Sequence, residues 1–167
     1  MTTAPAFPPA SERDLEVLEQ QLGRPMRGVL GIGARCVCGN PVVVVTAPRL
    51  EDGTPFPTLY YLSHPAATAE MSRLEVAHLM VDMQDALAED EELRAAYHRA
   101  HEQYLSQREA IEHVAEIENV TAGGMPTRVK CLHALAAHAL ATGPGVNPMG
   151  DWALRESAWS PQRCQCS

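Results

Sequence analysis

Aromatic residues are scarce in this chain. Two Phe, two Trp and four Tyr make up 5% of its 167 residues, so the core must be mainly aliphatic. Cations are outnumbered too: 13 Lys and Arg stand against 21 Asp and Glu, for a formal net charge of −8. Nucleic acid and anionic membrane both attract a surface surplus of Lys and Arg. The acidic balance argues against either as a general partner and leaves room only for a local cationic pocket. No apolar run approaches bilayer length; "VVVV" with its neighbours is far too short. The opening "MTTAPAFPPASERD" is Pro- and Ala-rich and then acidic, with no apolar stretch of a secretory signal. The five cysteines are an odd number, and four of them form two Cys-x-Cys pairs, too close for easy bridging within a pair. That is unlike a secreted disulfide framework. These absences together predict a cytosolic protein.

The length fits one domain, able to bury roughly 70% of its unfolded surface without disulfides or metal. Residues 1–10 read as a disordered tail, 11–158 as a single domain and 159–167 as a flexible C-terminal tail. Ser11 caps a first helix with Leu15, Leu18 and Leu22 as its apolar stripe, and Gly23 stops it. From Arg27 to His64 the pattern becomes β: "RGVLGIGARC", the turn "CGNP", "VVVVTAPRL", a second turn, and "TLYYLS". An antiparallel three-stranded meander is the simplest assembly. From Pro65 the chain is helical. One helix runs over "PAATAEMSRLEVAHLMVDMQDALA", and a second begins near Asp90 with Leu93, Tyr97, Tyr104 and Ile111 on its apolar face. Pro126 opens a third long helix ending near Thr142, with Gly143 as its cap, and Asp151 caps a short terminal helix. The expected class is α+β, a small antiparallel three-stranded sheet packed against a helical bundle.

The richest segment chemically is "GGMPTRVKCLHALAAH", Gly123 to His138. After Lys130 its helix carries no charge, which marks a helix buried on most sides. The plain reading of Cys131 and His138 is therefore a buried thiol and a hydrogen-bonded core imidazole. The sharper reading joins distant segments. Cys36 and Cys38 end the first strand, and His64 ends the third. If the Cys131 helix packs across that edge, Cys36, Cys38, His64, Cys131, His133 and His138 supply thiolate and imidazole ligands suited to zinc, with iron as the other choice. A rival set, Cys36, Cys38, Cys164 and Cys166, has tidier arithmetic but requires the tail to fold back.

A third reading concerns the front of the same helix. Gly123 and Gly124 free the backbone, and Arg128 and Lys130 add charge beside first-turn amides, which makes a cradle for an anion or phosphate compound. No GxxxxGK[ST] loop is present. Cys131 beside such a cradle is a candidate nucleophile with His133 or His64 as base, though no partner Asp or Asn is evident. Arg49, Asn147 and Asp151 are further polar residues placed to orient a ligand.

The segments "QQLGRPMRGV", "RCVCGNP", "TAPRLEDGTPFPTLYYLSHP", "AAYHRAHEQYLSQR" and "GGMPTRVKCLHALAAHALATGPGVNPMGD" closely resemble an actinobacterial family known as domain of unknown function 501. The resemblance spans roughly residues 15–155 and brings no established activity. Its genes often neighbour those of a septum-formation initiator and an exopolyphosphatase-like phosphatase, which implies phosphate or division biology. The resemblance also implies that Cys36, the His64 position, Cys131 and His133 belong to the family motifs. Cys164 and Cys166 fall outside them, so it favours a site built on Cys36, His64 and Cys131. Two functions follow as expectations. One is a cytosolic metal-binding protein with a Cys/His site beside a phosphate cradle, capable of hydrolysis if the metal keeps an open position. The other is a metal-free adaptor that binds a protein partner through its acidic helical hairpin, residues 66–118.

Overall fold

The structure is a computed structural model describing residues 7–166. Helix α1 (Glu12–Leu22) starts with a capping box in which Ser11 Oγ accepts from the Asp14 amide and the Asp14 carboxylate accepts from the Ser11 amide. Strands β1 (Val29–Arg35), β2 (Pro41–Thr46) and β3 (Tyr60–Leu62) form the expected antiparallel meander, in the order β1-β2-β3. Every residue of β2 is buried, because both faces of this central strand are covered. Leu18 of α1 seals one face against Ile32 and Val44. The opposite face, with Val43, Val45 and Leu62, joins the main aliphatic core.

Helices α2 (Pro65–Val76), α3 (Leu79–Glu89), α4 (Glu91–Ile111), α5 (Leu132–Thr142) and α6 (Pro148–Glu156) complete the fold. Helix α5 is its hub and packs against all three strands, α2 and α6. The contact with α6 is so close that a Cβ on Gly150 would lie 2.1 Å from the Leu135 carbonyl oxygen, and only glycine fits there. The architecture is thus α+β, as the sequence predicted.

Four local expectations need correction. Of the predicted α1 stripe only Leu18 is fully buried; Leu15 is 44% exposed. Asp14 takes the other inward position and binds Arg35. The single helix expected after Pro65 is two, broken at His78, whose φ of 64° is left-handed. The break lets Met71 and Leu74 of α2 and Leu79, Met83 and Leu87 of α3 enter the core from different directions. The third long helix begins at Leu132 rather than Pro126. The intervening loop has its own partners: the Gln84 side chain bonds the Thr127 carbonyl and the Val129 amide, and the Tyr97 hydroxyl donates to the Arg128 carbonyl. Asn147, not Asp151, caps the last helix by accepting from the Met149 and Gly150 amides.

The segments read as tails are laid against the fold where the structure describes them. Ile32 donates its amide to the Pro8 carbonyl, and the Phe7 ring lies 5.9 Å from that of Tyr60. At the other end Trp159 is 2% exposed, and the Val37 amide donates to the Pro161 carbonyl. Residues 1–6, the rest of the expected N-terminal tail, lie outside the described residues.

Candidate metal centre

The β1–β2 connection is a tight knuckle built by its own backbone. The Cys36 amide donates to the Asn40 carbonyl and the Gly39 amide to the Cys36 carbonyl. Arg35 braces it: its guanidinium grips Asp14 through two bonds of 2.8 and 2.9 Å and reaches the Gly39 carbonyl. That grip, chiefly the Arg35 hydrogen bonds, holds the Asp14 carboxyl well below the usual carboxylate range. The knuckle turns Cys36 inward and Cys38 outward.

The Val37–Pro161 bond lays the C-terminal strip across this knuckle and brings Cys164 and Cys166 to it. The sulfur atoms of Cys36, Cys38, Cys164 and Cys166 all lie within 4.8 Å of one another. The Cys38 and Cys166 sulfurs, 128 residues apart in sequence, are 3.6 Å apart in space. A tetrahedral zinc–thiolate centre, with Zn–S near 2.3 Å, places its sulfurs about 3.8 Å from each other. The four thiols thus fit a tetrahedral ion, and this cluster can hold a metal. Burial pushes the Cys36 thiol up, and Cys166 up to about 12. Cys38 is lowered to about 7, chiefly by the Asn40 amide beside it.

His64 stands beside the cluster in a different role from the predicted one. It is the N-cap of α2, and its Nδ1 accepts from the Ala67 amide. A neutral ring with Nδ1 accepting carries its proton on Nε2. Nε2 lies 3.1 Å from the Cys166 sulfur and is thereby a hydrogen-bond donor to that sulfur. Burial lowers the ring's pKa, which favours the neutral form. A polar cavity of about 300 Å³ opens next to this contact, lined by Arg13, Gln21, Asn40, His64, Gln165 and Cys166 among others.

Cys131 and His133 do not join this cluster. They meet Glu75 of α2 at the start of α5, where the ligand atoms of the three residues also lie within 4.8 Å of one another. His133 Nδ1 is 3.0 Å from Glu75 Oε1 and 4.0 Å from the Cys131 sulfur. The first free amide of α5, Leu132, donates to the same Glu75 oxygen at 2.9 Å. Burial pushes the Cys131 thiol up, but the His133 ring and the Ala134 amide outweigh it and the net shift is downward. Contact with Cys131 raises His133 to about 9, with Glu75 adding to the effect.

His138 is the core histidine of the plain reading. Its Nε2 donates to Gln103 Oε1, its Nδ1 accepts from Asn147 Nδ2, and Tyr60 stacks on its ring at 5.6 Å. Burial drives its pKa down to about 3. Arg49 pairs with Glu116 on the surface, and Asp151 accepts from the Gly145 amide.

The predicted cradle amides are not those of a helix start. Gly123 and Gly124 both have left-handed φ, at 68° and 96°, and their carbonyls close the loop onto Lys130 and Arg128. The real front of α5 is filled by the Glu75 carboxylate, so the chain supplies its own anion there. Glu75 carried no signal of its own in the sequence, as one acidic residue among many on helices.

Comparison with curated proteins and with solved structures gave no match to either. The profile of DUF501, described as a protein of unknown function, matches residues 32–155. That span includes Cys36, Cys38, His64, Glu75, Cys131 and His133 and ends before Cys164 and Cys166. With most of its length matched, the chain belongs to the DUF501 family.

Proposed function

We propose that this protein is a zinc-binding protein whose Cys36, Cys38, Cys164 and Cys166 thiolates hold a closed, structural ion. The convergence of four sulfurs within 4.8 Å, drawn from a hairpin knuckle and a strip more than a hundred residues later, carries this reading. Thiolate-only donors favour zinc or an iron-loaded equivalent over magnesium or calcium. Four protein ligands leave no position for water, so the ion serves architecture: it fastens the strip carrying Trp159 and Pro161 to the β1–β2 knuckle. His64 supports the centre from outside the ligand set, donating Nε2–H to the Cys166 thiolate as outer-sphere partners do. Five free cysteines suit a reducing, cytoplasmic compartment, where thiols stay available for metal.

Elemental analysis of protein purified without added metal tests the proposal. Zinc is expected to be bound by the wild type, with one equivalent fewer in a Cys164→Ser/Cys166→Ser variant. Equal metal content in the two proteins, or cysteines that stay fully reactive to a thiol reagent in zinc-saturating buffer, would overturn it.

A further inference from the structure

The Glu75–Cys131–His133 group presents one thiol, one imidazole nitrogen and one carboxylate to a common point, and the ring's other nitrogen fixes what that point must contain. His133 Nε2 lies 3.2 Å from the Thr68 carbonyl oxygen, which only accepts. It also lies 3.1 Å from Ser72 Oγ. Nε2 therefore carries a proton toward Thr68. In the neutral ring Nδ1 is then a bare lone pair, and it faces a carboxylate oxygen at 3.0 Å. A positive centre joins these two acceptors: a second ring proton in the metal-free protein, which an ion bound at the same point would replace. The Cys131 sulfur at 4.0 Å completes a triangle around the same point.

We infer that Glu75, Cys131 and His133 form a second divalent-metal site, distinct from the four-cysteine centre, with three protein ligands and one coordination position open to solvent. Tetrahedral zinc with one S, one N and one O donor places S and N about 3.6 Å apart and N and O about 3.4 Å apart. The observed S–N distance of 4.0 Å and N–O distance of 3.0 Å each lie within about 0.4 Å of those spacings. The Nε2–H to carbonyl contact is the usual outer support of a metal-bound histidine, fixing the tautomer and aiming the ring. The α5 cap is compatible with binding, because the Glu75 Oε1 that accepts from Leu132 keeps a second lone pair for the ion. All three residues are partly exposed, so the fourth position reaches water. An ion there releases the Cys131 thiol proton to solvent. Three ligands plus water is the arrangement of a Lewis-acid site that takes a small oxygen-donor ligand, in contrast to the closed cluster.

The inference is independent of the four-cysteine reading, and the test separates the two. Cobalt(II) is titrated into metal-free Cys164→Ser/Cys166→Ser protein, which lacks two thiols of the first cluster and keeps the second site whole. The expected result is one equivalent bound, with a thiolate-to-cobalt charge-transfer band. Adding Cys131→Ser should abolish that band, and Glu75→Gln, which keeps the helix cap, should weaken binding at least tenfold. Inorganic phosphate added in excess should shift the visible cobalt bands through the open position. The inference is overturned if the folded double variant binds no cobalt, if the band persists after Cys131→Ser, or if phosphate leaves the spectrum unmoved. Should Cys131→Ser fail to fold, Glu75→Gln and His133→Gln carry the same comparison, and unchanged affinity in both would overturn it.

Discussion

Two candidate ligand clusters of one small protein are built on opposite plans. The first draws four like ligands from two Cys-x-Cys pairs, one on a backbone knuckle and one on a strip that has almost no regular structure of its own. The second draws three unlike ligands from the end of α2 and from the N-cap and first turn of α5. In the first, His64 stands outside as a hydrogen-bond donor. In the second, His133 is inside, and a backbone carbonyl plays the outer part. The contrast teaches that a histidine near thiols is not read by proximity. The partner of its far nitrogen decides whether it can be a ligand, and here the two rings give opposite answers.

The largest effect that would break this contrast is chelation. Stripping the four-cysteine ion should free the end of the strip around Cys164 and Cys166 while the core, with Trp159 packed in it, stays folded. With free zinc a thousandfold above Kd, the loss of stability is about 4 kcal/mol. Limited proteolysis near Arg163 with and without chelator, alongside a thermal melt, checks both parts. Removing the outer donor should matter less. His64→Phe should weaken zinc at the first cluster 10- to 100-fold, about 1.4–2.7 kcal/mol, and leave the second unaffected. Competition with a chromophoric chelator measures it, and a change at both sites would erase the distinction drawn above.

Acid sharpens the comparison if the core's own response is known first. His138 stays neutral when folded, with its pKa near 3, while the unfolded ring takes a proton near 6.5. As pH falls below 6.5 the unfolded state binds a proton that the folded state refuses, so this ring's own contribution to stability falls by about 1.4 kcal/mol per pH unit down to about 3 and is constant above 6.5. Denaturant melts of metal-free protein should show stability falling with acid, and His138→Gln should reduce the slope whatever it does to absolute stability; the part that persists belongs to His64 and His101, whose pKa values burial also lowers. The smallest effect belongs to the cap. Glu75→Ala leaves the Leu132 amide without its acceptor and should cost about 1 kcal/mol, with Glu75→Gln costing less. Urea melts of the two variants give the difference.

The fold was legible where one segment carries its own reason. The β-branched run Pro41–Thr46 between two turns announces a central strand, Ser11 and Asp90 announce helix starts, and Gly143 announces a stop. It was illegible where the reason sits elsewhere in space. His78 breaks a helix although histidine is no breaker, because the two halves have different faces to bury. Pro126 begins no helix, because Gln84 and Tyr97 have already claimed the loop's polar groups. The candidate sites divide the same way. Cys36 and Cys38 were singled out on their spacing, but the Cys164–Cys166 strip shows no apolar period. It is held by the Pro161 carbonyl and its sulfurs instead, which hydropathy does not register. His138 matched its plain reading because a charge-free helix already predicts a buried ring.

The knuckle and the strip that covers it impose an order on synthesis. A ribosome delivers Cys36 and Cys38 early and the other pair 128 residues later. Any product cut short in between offers the first cluster only two of its four thiols. An ion held by all four of these thiols would therefore report that translation has passed residue 166.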